Sequence, residues 1–162
     1  MSTELEELYQ EVILDHSRRP RNFGALENAD VLVHGDNPSC GDEIHLGIQF
    51  GRNDTLAEIK FSGQGCAISQ ASASMMTMKL KGKTRSEASA LGLAFRDLVT
   101  GGSAEQSSSI ASASSSPKLG DLQLLSGVRK FPQRVKCAML PWRAVEQALS
   151  QSAGESTVST EL

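Results

Sequence analysis

Nowhere in this sequence do apolar residues run together for the roughly eighteen positions that a membrane-spanning helix needs. No membrane partner is expected. Basic charge is also scarce: 16 Lys and Arg against 19 Asp and Glu leave a formal charge of -3 with the signs interspersed. The broad positive field that nucleic acid or an anionic lipid surface attracts is therefore missing, and no nucleic-acid partner is expected. The opening MSTELEELYQEV is charged and amphipathic rather than a secretory signal, so the expected location is the cytoplasm. Cysteine is limited to 3 residues, an odd count that excludes a closed disulfide framework and leaves burial, metal binding or thiol chemistry as their uses.

At 162 residues the chain is long enough for one domain with its own core and no covalent staples. Leu5, Leu8, Tyr9, Val12 and Ile13 recur on one helical face, and Glu4, Glu6, Glu7 and Glu11 load the N-terminal turns where the helix dipole favours anions. This spacing predicts a helix ending near Asp15 or His16, before Pro20 and Gly24 break it. VLVHG reads as a short strand. After the bend NPSCGDE, Ile44, Leu46, Ile48 and Phe50 alternate with His45, Gly47 and Gln49. Past the turn GRND, Ala57, Ile59 and Phe61 alternate with Glu58, Lys60 and Ser62, and short connections between such strands predict an antiparallel meander.

Two glycines in SGQGC lead into a helix rich in small residues and methionine, with Cys66 at the junction. Thr84 and Glu87 have the spacing of a capping box for the next helix, whose apolar Ala88, Leu91, Phe95, Leu98 and Val99 continue to Gly101 and Gly102. Residues 102–117 are serine-rich and short of large apolar side chains, which predicts a flexible insert. LGDLQLLSG offers one or two helical turns, Pro132 a short turn leading to Cys137, and Pro141 the first position of a last helix carrying Trp142, Val145, Ala148 and Leu149. Residues 151–162 are polar and expected to form a disordered tail. The expected architecture is α+β: residues 1–150 as a single domain in which a small three-stranded antiparallel sheet is flanked by about five helices packed on one face.

The bend NPSCGDEI contains more than a turn requires. Asn37, Pro38, Gly41 and Asp42 suffice to reverse the chain, so Cys40 needs another explanation. Cys40, Cys66 and Cys137 all fall at the ends of predicted elements, where chemistry is exposed on a rigid support. Their spacing matches no short CxxC pair and leaves two readings open: three separately buried small residues, or one shared site. Asp42 favours the second, because three thiolates and one carboxylate make the four ligands of a tetrahedral zinc ion.

The segments LYQEVILDHSRRPRNFG, NPSCGDEI, GQGCAISQASASMM and LGDLQLLSGVRKFPQRVKCAMLPW resemble the SufU-type branch of the NifU/IscU iron-sulfur cluster assembly proteins. The likeness spans Leu8 to Leu149, omitting the serine-rich insert. It implies a SufE/NifU-like fold and the convergence of Cys40, Asp42, Cys66 and Cys137 on one metal site. IscU-type scaffolds carry a histidine immediately before the last cysteine, where this chain has Lys136, and a Leu-Pro-Pro-Val-Lys motif absent from GVRKFPQRVKC. NifU adds a module with its own paired cysteines, and no such pair follows Leu149. The resemblance thus implies a zinc-dependent sulfurtransferase of the SUF system, accepting persulfide sulfur from a cysteine desulfurase of the SufS type and serving a downstream SufBCD-type cluster scaffold. It would act as the partner of a desulfurase rather than as a stand-alone enzyme.

In that family pattern Cys40 is the persulfide acceptor, leaving the ion when the desulfurase supplies a replacement ligand, while Asp42, Cys66 and Cys137 stay as holding ligands. Two alternatives use the same four residues: a scaffold on which iron or a 2Fe-2S cluster is assembled, and a non-enzymatic domain with structural zinc. Lys136 weighs against the scaffold, and a chain of this length has no need of a metal staple. Arg134 and Lys136 flank Cys137 as candidate supporting cations, and Arg18, Arg19 and Arg21 form a candidate docking group. His16, His34 and His45 read as structural groups rather than ligands, and Met75, Met76 and Met78 as fillers of core gaps.

Overall fold

Alternation of apolar and polar residues generates the sheet. In the computed structural model, which describes residues 3–38, 41–100, 122, 125, 128, 131–151 and 154–159, strands β1 (Val31–Asn37), β2 (Asp42–Phe50) and β3 (Leu56–Gln64) run antiparallel to one another as expected. Val31, Val33, Ile44, Leu46, Ile48, Ile59 and Phe61 are buried on the core face, whereas Leu32, His34, Glu43, His45 and Lys60 fall on the opposite face. β2 reaches β3 through Arg52–Asp54, where Asn53 and Asp54 both have φ of 59°, a left-handed conformation that these two residue types tolerate.

A fourth strand, β4 (Gly154–Ser159), corrects two expectations: the sheet is mixed rather than purely antiparallel, and residues 154–159 are not an irregular tail. β4 pairs parallel with β1, from Val31 with Gly154 to Asp36 with Ser159, giving the order β3-β2-β1-β4. Its polar composition hides this strand in the sequence. A strand at a sheet edge needs only backbone partners and one apolar contact, and here Val158 packs against the core beside Gly35, where a Cβ would come within 3.3 Å of both Val158 and Leu140.

Four α-helices occur among the described residues, against about five expected: α1 (Thr3–Arg18), α2 (Ala67–Leu80), α3 (Arg85–Thr100) and α4 (Pro132–Leu149). α1 runs to Arg18, slightly past the expected stop, and Arg18 places a cation in its last turn, which the dipole favours. The capping box is formed: the Thr84 N–H donates to Glu87 Oε1 at 2.9 Å, and the Glu87 N–H donates to Thr84 Oγ1 at 3.1 Å. α4 is the larger departure. Pro141 does not begin a helix but lies inside one that starts at Pro132, so Cys137 stands in a helix rather than in a bend. Pro141 has no N–H to offer the carbonyl four residues back, yet the buried Ala138, Leu140, Trp142, Ala144, Val145 and Ala148 hold the helix together through tertiary packing. Of the LGDLQLLSG segment, Leu122 and Leu125 are described and buried; the rest of it and the serine-rich 102–117 lie outside the described residues.

α2 is buried almost all round, with Ala71, Ser72, Ala73, Ser74, Met75, Met76 and Thr77 inaccessible. Small side chains let neighbouring elements approach it closely, and each buried hydroxyl finds a partner. Ser72 Oγ donates to the Ala138 carbonyl of α4 at 2.7 Å, Ser74 Oγ accepts the Arg21 N–H at 2.8 Å and meets His16 Nδ1 at 2.7 Å, and Thr77 Oγ1 donates to the Ser74 carbonyl at 2.8 Å. His16 is structural, as anticipated. Met75 and Met76 fill the core, but Met78 is 56% exposed and does not. No helix of the described residues is long and apolar enough to cross a membrane. Thr84→Ala, which removes the cap of α3, is expected to destabilise the fold by about 1 kcal/mol in urea unfolding, with the slope of the transition unchanged.

Candidate metal centre

The centre begins with the β1–β2 connection. Asn37 pairs with Asp42 across the two strands, the Gly41 N–H donates to the Asn37 carbonyl at 2.9 Å, and Gly41 has φ of 74°, which suits glycine. Asp42 is the first residue of β2 and points to the core side, 1% exposed. Cys66 caps α2 with extended backbone angles and is half-buried. Cys137 lies in α4 and is fully buried. Three elements therefore deliver a carboxylate and two thiols to one place, where their ligand atoms all lie within 4.8 Å of one another.

Cys40 lies outside the described residues. Arg134 is exposed and Lys136 half-buried on the first turns of α4. His34 and His45 are remote from these thiols, on the outer face of the sheet, and group there with Glu43.

The contacts explain why the three donors converge. The Cys66 N–H, free because it precedes the first helical turn, donates to Asp42 Oδ1 at 2.9 Å, while Asp42 Oδ2 is 3.9 Å from Cys66 Sγ. Ser69 Oγ donates to the Cys66 carbonyl at 3.1 Å and Asn37 Nδ2 donates to Cys137 Sγ at 3.7 Å. Gly65 is needed for clearance: a Cβ there would stand 2.5 Å from Ser69 Oγ and 2.7 Å from Asp42 Oδ1. Asn37, Gly65 and Ser69 were not picked out as site residues from sequence. Asn37 was visible only as a turn former before a proline, and the glycine of GQGC only as a helix start.

Electrostatics favour ionised sulfur. The Cys66 thiol is brought down from its usual 9.0 to about 6, chiefly by a hydrogen bond from the Cys137 thiol and further by the N–H groups of Ser69 and Ile68. Burial and the facing Asp42 carboxylate oppose the shift without cancelling it. Once Cys66 is ionised, two negative groups face each other across 3.9 Å and a cation between them relieves the repulsion. That separation is close to the roughly 3.5 to 3.8 Å between neighbouring ligands on a tetrahedral zinc ion. The residues fit a thiolate-binding divalent metal and could supply three of its four ligands.

Fold and donor set together define an α+β domain with a carboxylate and two thiols grouped where they could hold a metal ion. The family model for the NifU-like N terminal domain matches residues 8–138, and the chain belongs to that family. The zinc-dependent sulfurtransferase SufU of Bacillus subtilis (strain 168) is 43% identical over 150 residues, covering 93% of this chain and 95% of that protein. The iron-sulfur cluster assembly scaffold protein IscU of Streptococcus pyogenes serotype M1 is 41% identical over 151 residues, covering 93% of this chain and 88% of that one. Among solved structures, FiSufU from the thermophile Fervidobacterium islandicum AW-1, described as a cluster assembly scaffold for the SUF system, matches with a TM-score of 0.73 and 34% identity, over 89% of this chain and 98% of the other.

In metal-free protein, alkylation of Cys66 followed by peptide mass spectrometry is expected to rise through a midpoint near pH 6, because the thiolate is the reacting form and Cys137 stabilises it. A midpoint at the ordinary thiol value would refute the hydrogen-bonded pair.

Proposed function

We propose that the chain is a zinc-dependent sulfurtransferase of iron-sulfur cluster assembly, taking persulfide sulfur from a cysteine desulfurase of the SufS type and serving a SufBCD-type cluster scaffold. The observation that carries this reading is the convergence of Asp42, Cys66 and Cys137 from three elements, with a fourth donor, Cys40, in the connection that ends at Asp42. Bound there, zinc would keep the coordinating thiols ionised at neutral pH. Asp42, Cys66 and Cys137 are the holding ligands, each braced by a contact within the fold: Asp42 by the Cys66 N–H, Cys66 by the Ser69 hydroxyl on its carbonyl, and Cys137 by Asn37.

Cys40 is the acceptor. Its thiolate attacks the terminal sulfur of the desulfurase persulfide, forming a new S–S bond as the donor's S–S bond breaks, and the electron pair leaves on the desulfurase cysteine as a thiolate. The sulfur ends as a persulfide on Cys40, with no net oxidation. Arg134 and Lys136, on the turns of α4 that precede and reach Cys137, add positive charge beside an anionic site.

A second reading deserves a place because the IscU relative is nearly as similar as the SufU one: the same ligands would carry a 2Fe-2S cluster as cargo. Purification without added metal separates the two. The sulfurtransferase reading expects about one zinc per chain and no visible absorption. Desulfurase turnover should rise on adding the chain, fall to the desulfurase-only rate with Cys40→Ala, and fall likewise with Asp42→Ala together with loss of zinc. Undiminished acceleration by Cys40→Ala would remove the acceptor role, and a bound chromophore transferable to an apo-ferredoxin would establish the scaffold instead.

A further inference from the structure

The face of the sheet turned away from the helices carries a second group of metal-ligating side chains. His34 of β1 and His45 of β2 are register partners, so they project side by side from the same face. Their rings stack with centroids 4.7 Å apart and 28° between planes. Glu43, two residues before His45 and therefore on the same face, reaches His34 Nε2 with Oε2 at 3.3 Å. The ligand atoms of all three lie within 4.8 Å of one another, and the side chains of His34 and Glu43 are 36% and 43% exposed.

We propose that His34, Glu43 and His45 form a second, solvent-open site for a borderline divalent transition metal such as zinc or copper. Two imidazoles and a carboxylate are a donor set such ions accept, and three protein ligands leave room for water. Ligands about 2.0 to 2.1 Å from a tetrahedral ion stand roughly 3.3 to 3.4 Å apart, and the His34–Glu43 pair already has that spacing. A ring nitrogen of the exposed His45 lies within 4.8 Å of both. A further feature favours a cation here: Asp36 is the register partner of Glu43, and the alternation of β1 turns it to the same face, so two carboxylates sit directly opposite each other. Like charges in that relation destabilise a strand pair unless something offsets them.

This site revises the reading of His34 and His45 as structural. It stands back to back with the thiol site, because the consecutive residues Asp42 and Glu43 point to opposite faces of β2. The two differ in chemistry: the inner one is rich in sulfur, the outer one has none. An ion on the outer face bridges β1 to β2 and so clamps the hairpin whose connection contains Cys40.

The test uses the full chain loaded with one equivalent of zinc, titrated with further zinc by calorimetry and followed by the imidazole resonances in NMR. A weaker second equivalent is expected, shifting the signals of His34 and His45 together while those of His16 stay in place. The double substitution H34A/H45A should abolish the second equivalent and keep the first, and Glu43→Gln should weaken the second alone. Cys66→Ser should do the reverse, weakening the first equivalent and sparing the second, so failure of the thiol-site reading would be seen separately. The proposal is overturned if only one equivalent binds, if the second survives H34A/H45A, or if it binds without moving both imidazoles. His34 and His45 are accessible strand positions, so circular dichroism of the double variant is expected to match the unaltered chain.

Discussion

An anion 1% exposed must be satisfied, and in this molecule the group that satisfies it belongs to a different element. Asp42 accepts the Cys66 N–H at 2.9 Å, which is one of the donors that the start of α2 cannot use within the helix. That single bond ties the beginning of β2 to the beginning of α2 and fixes Cys66 beside the carboxylate. Gly65 makes the approach possible by leaving empty the space a side chain would fill. Everything proposed for the thiol site depends on this junction, since Cys137 arrives from a third element to face a pair that is already held.

The delivery of Cys137 depends in turn on α2 being narrow. Its run of alanine and serine brings α4 close enough for Ser72 to donate to the Ala138 carbonyl, one residue beyond the cysteine. Pro141 removes a helical N–H from the same stretch. Buried hydroxyls of this kind are tolerable only because each has a partner, and together they orient the helices more sharply than apolar packing would. The sulfur-rich group thus sits among buried, hydrogen-bonded elements. The outer histidines occupy a part-exposed face of the sheet.

Much of the design was readable without coordinates. The period-2 runs of β2 and β3, the capping box at Thr84 and Glu87, and the surplus of Cys40 in the bend that ends at Asp42 are local signals, and local signals survive in a linear string. β4 was missed because an edge strand rich in Ser and Thr has little hydrophobic signature, and its pairing is parallel to a strand more than a hundred residues earlier. The continuity of α4 was missed because proline in a helix interior ordinarily ends it, and only burial of the surrounding face overrides that preference. The support given by Asn37, Gly65 and Ser69 was likewise hidden, since each has an ordinary local role that accounts for its presence.

The residue string by itself determined which chemical groups are available, three thiols and one carboxylate at the ends of elements, and which face of each strand is apolar, because those follow from side-chain type and backbone period. Tertiary structure alone decided that Asp42, Cys66 and Cys137 meet, that Glu43 and two histidines meet on the other side of the same strand, and that Cys66 is acidic. The reason is that proximity between distant residues, and the hydrogen bonds and fields it creates, depend on how whole elements pack, which no stretch of neighbours encodes.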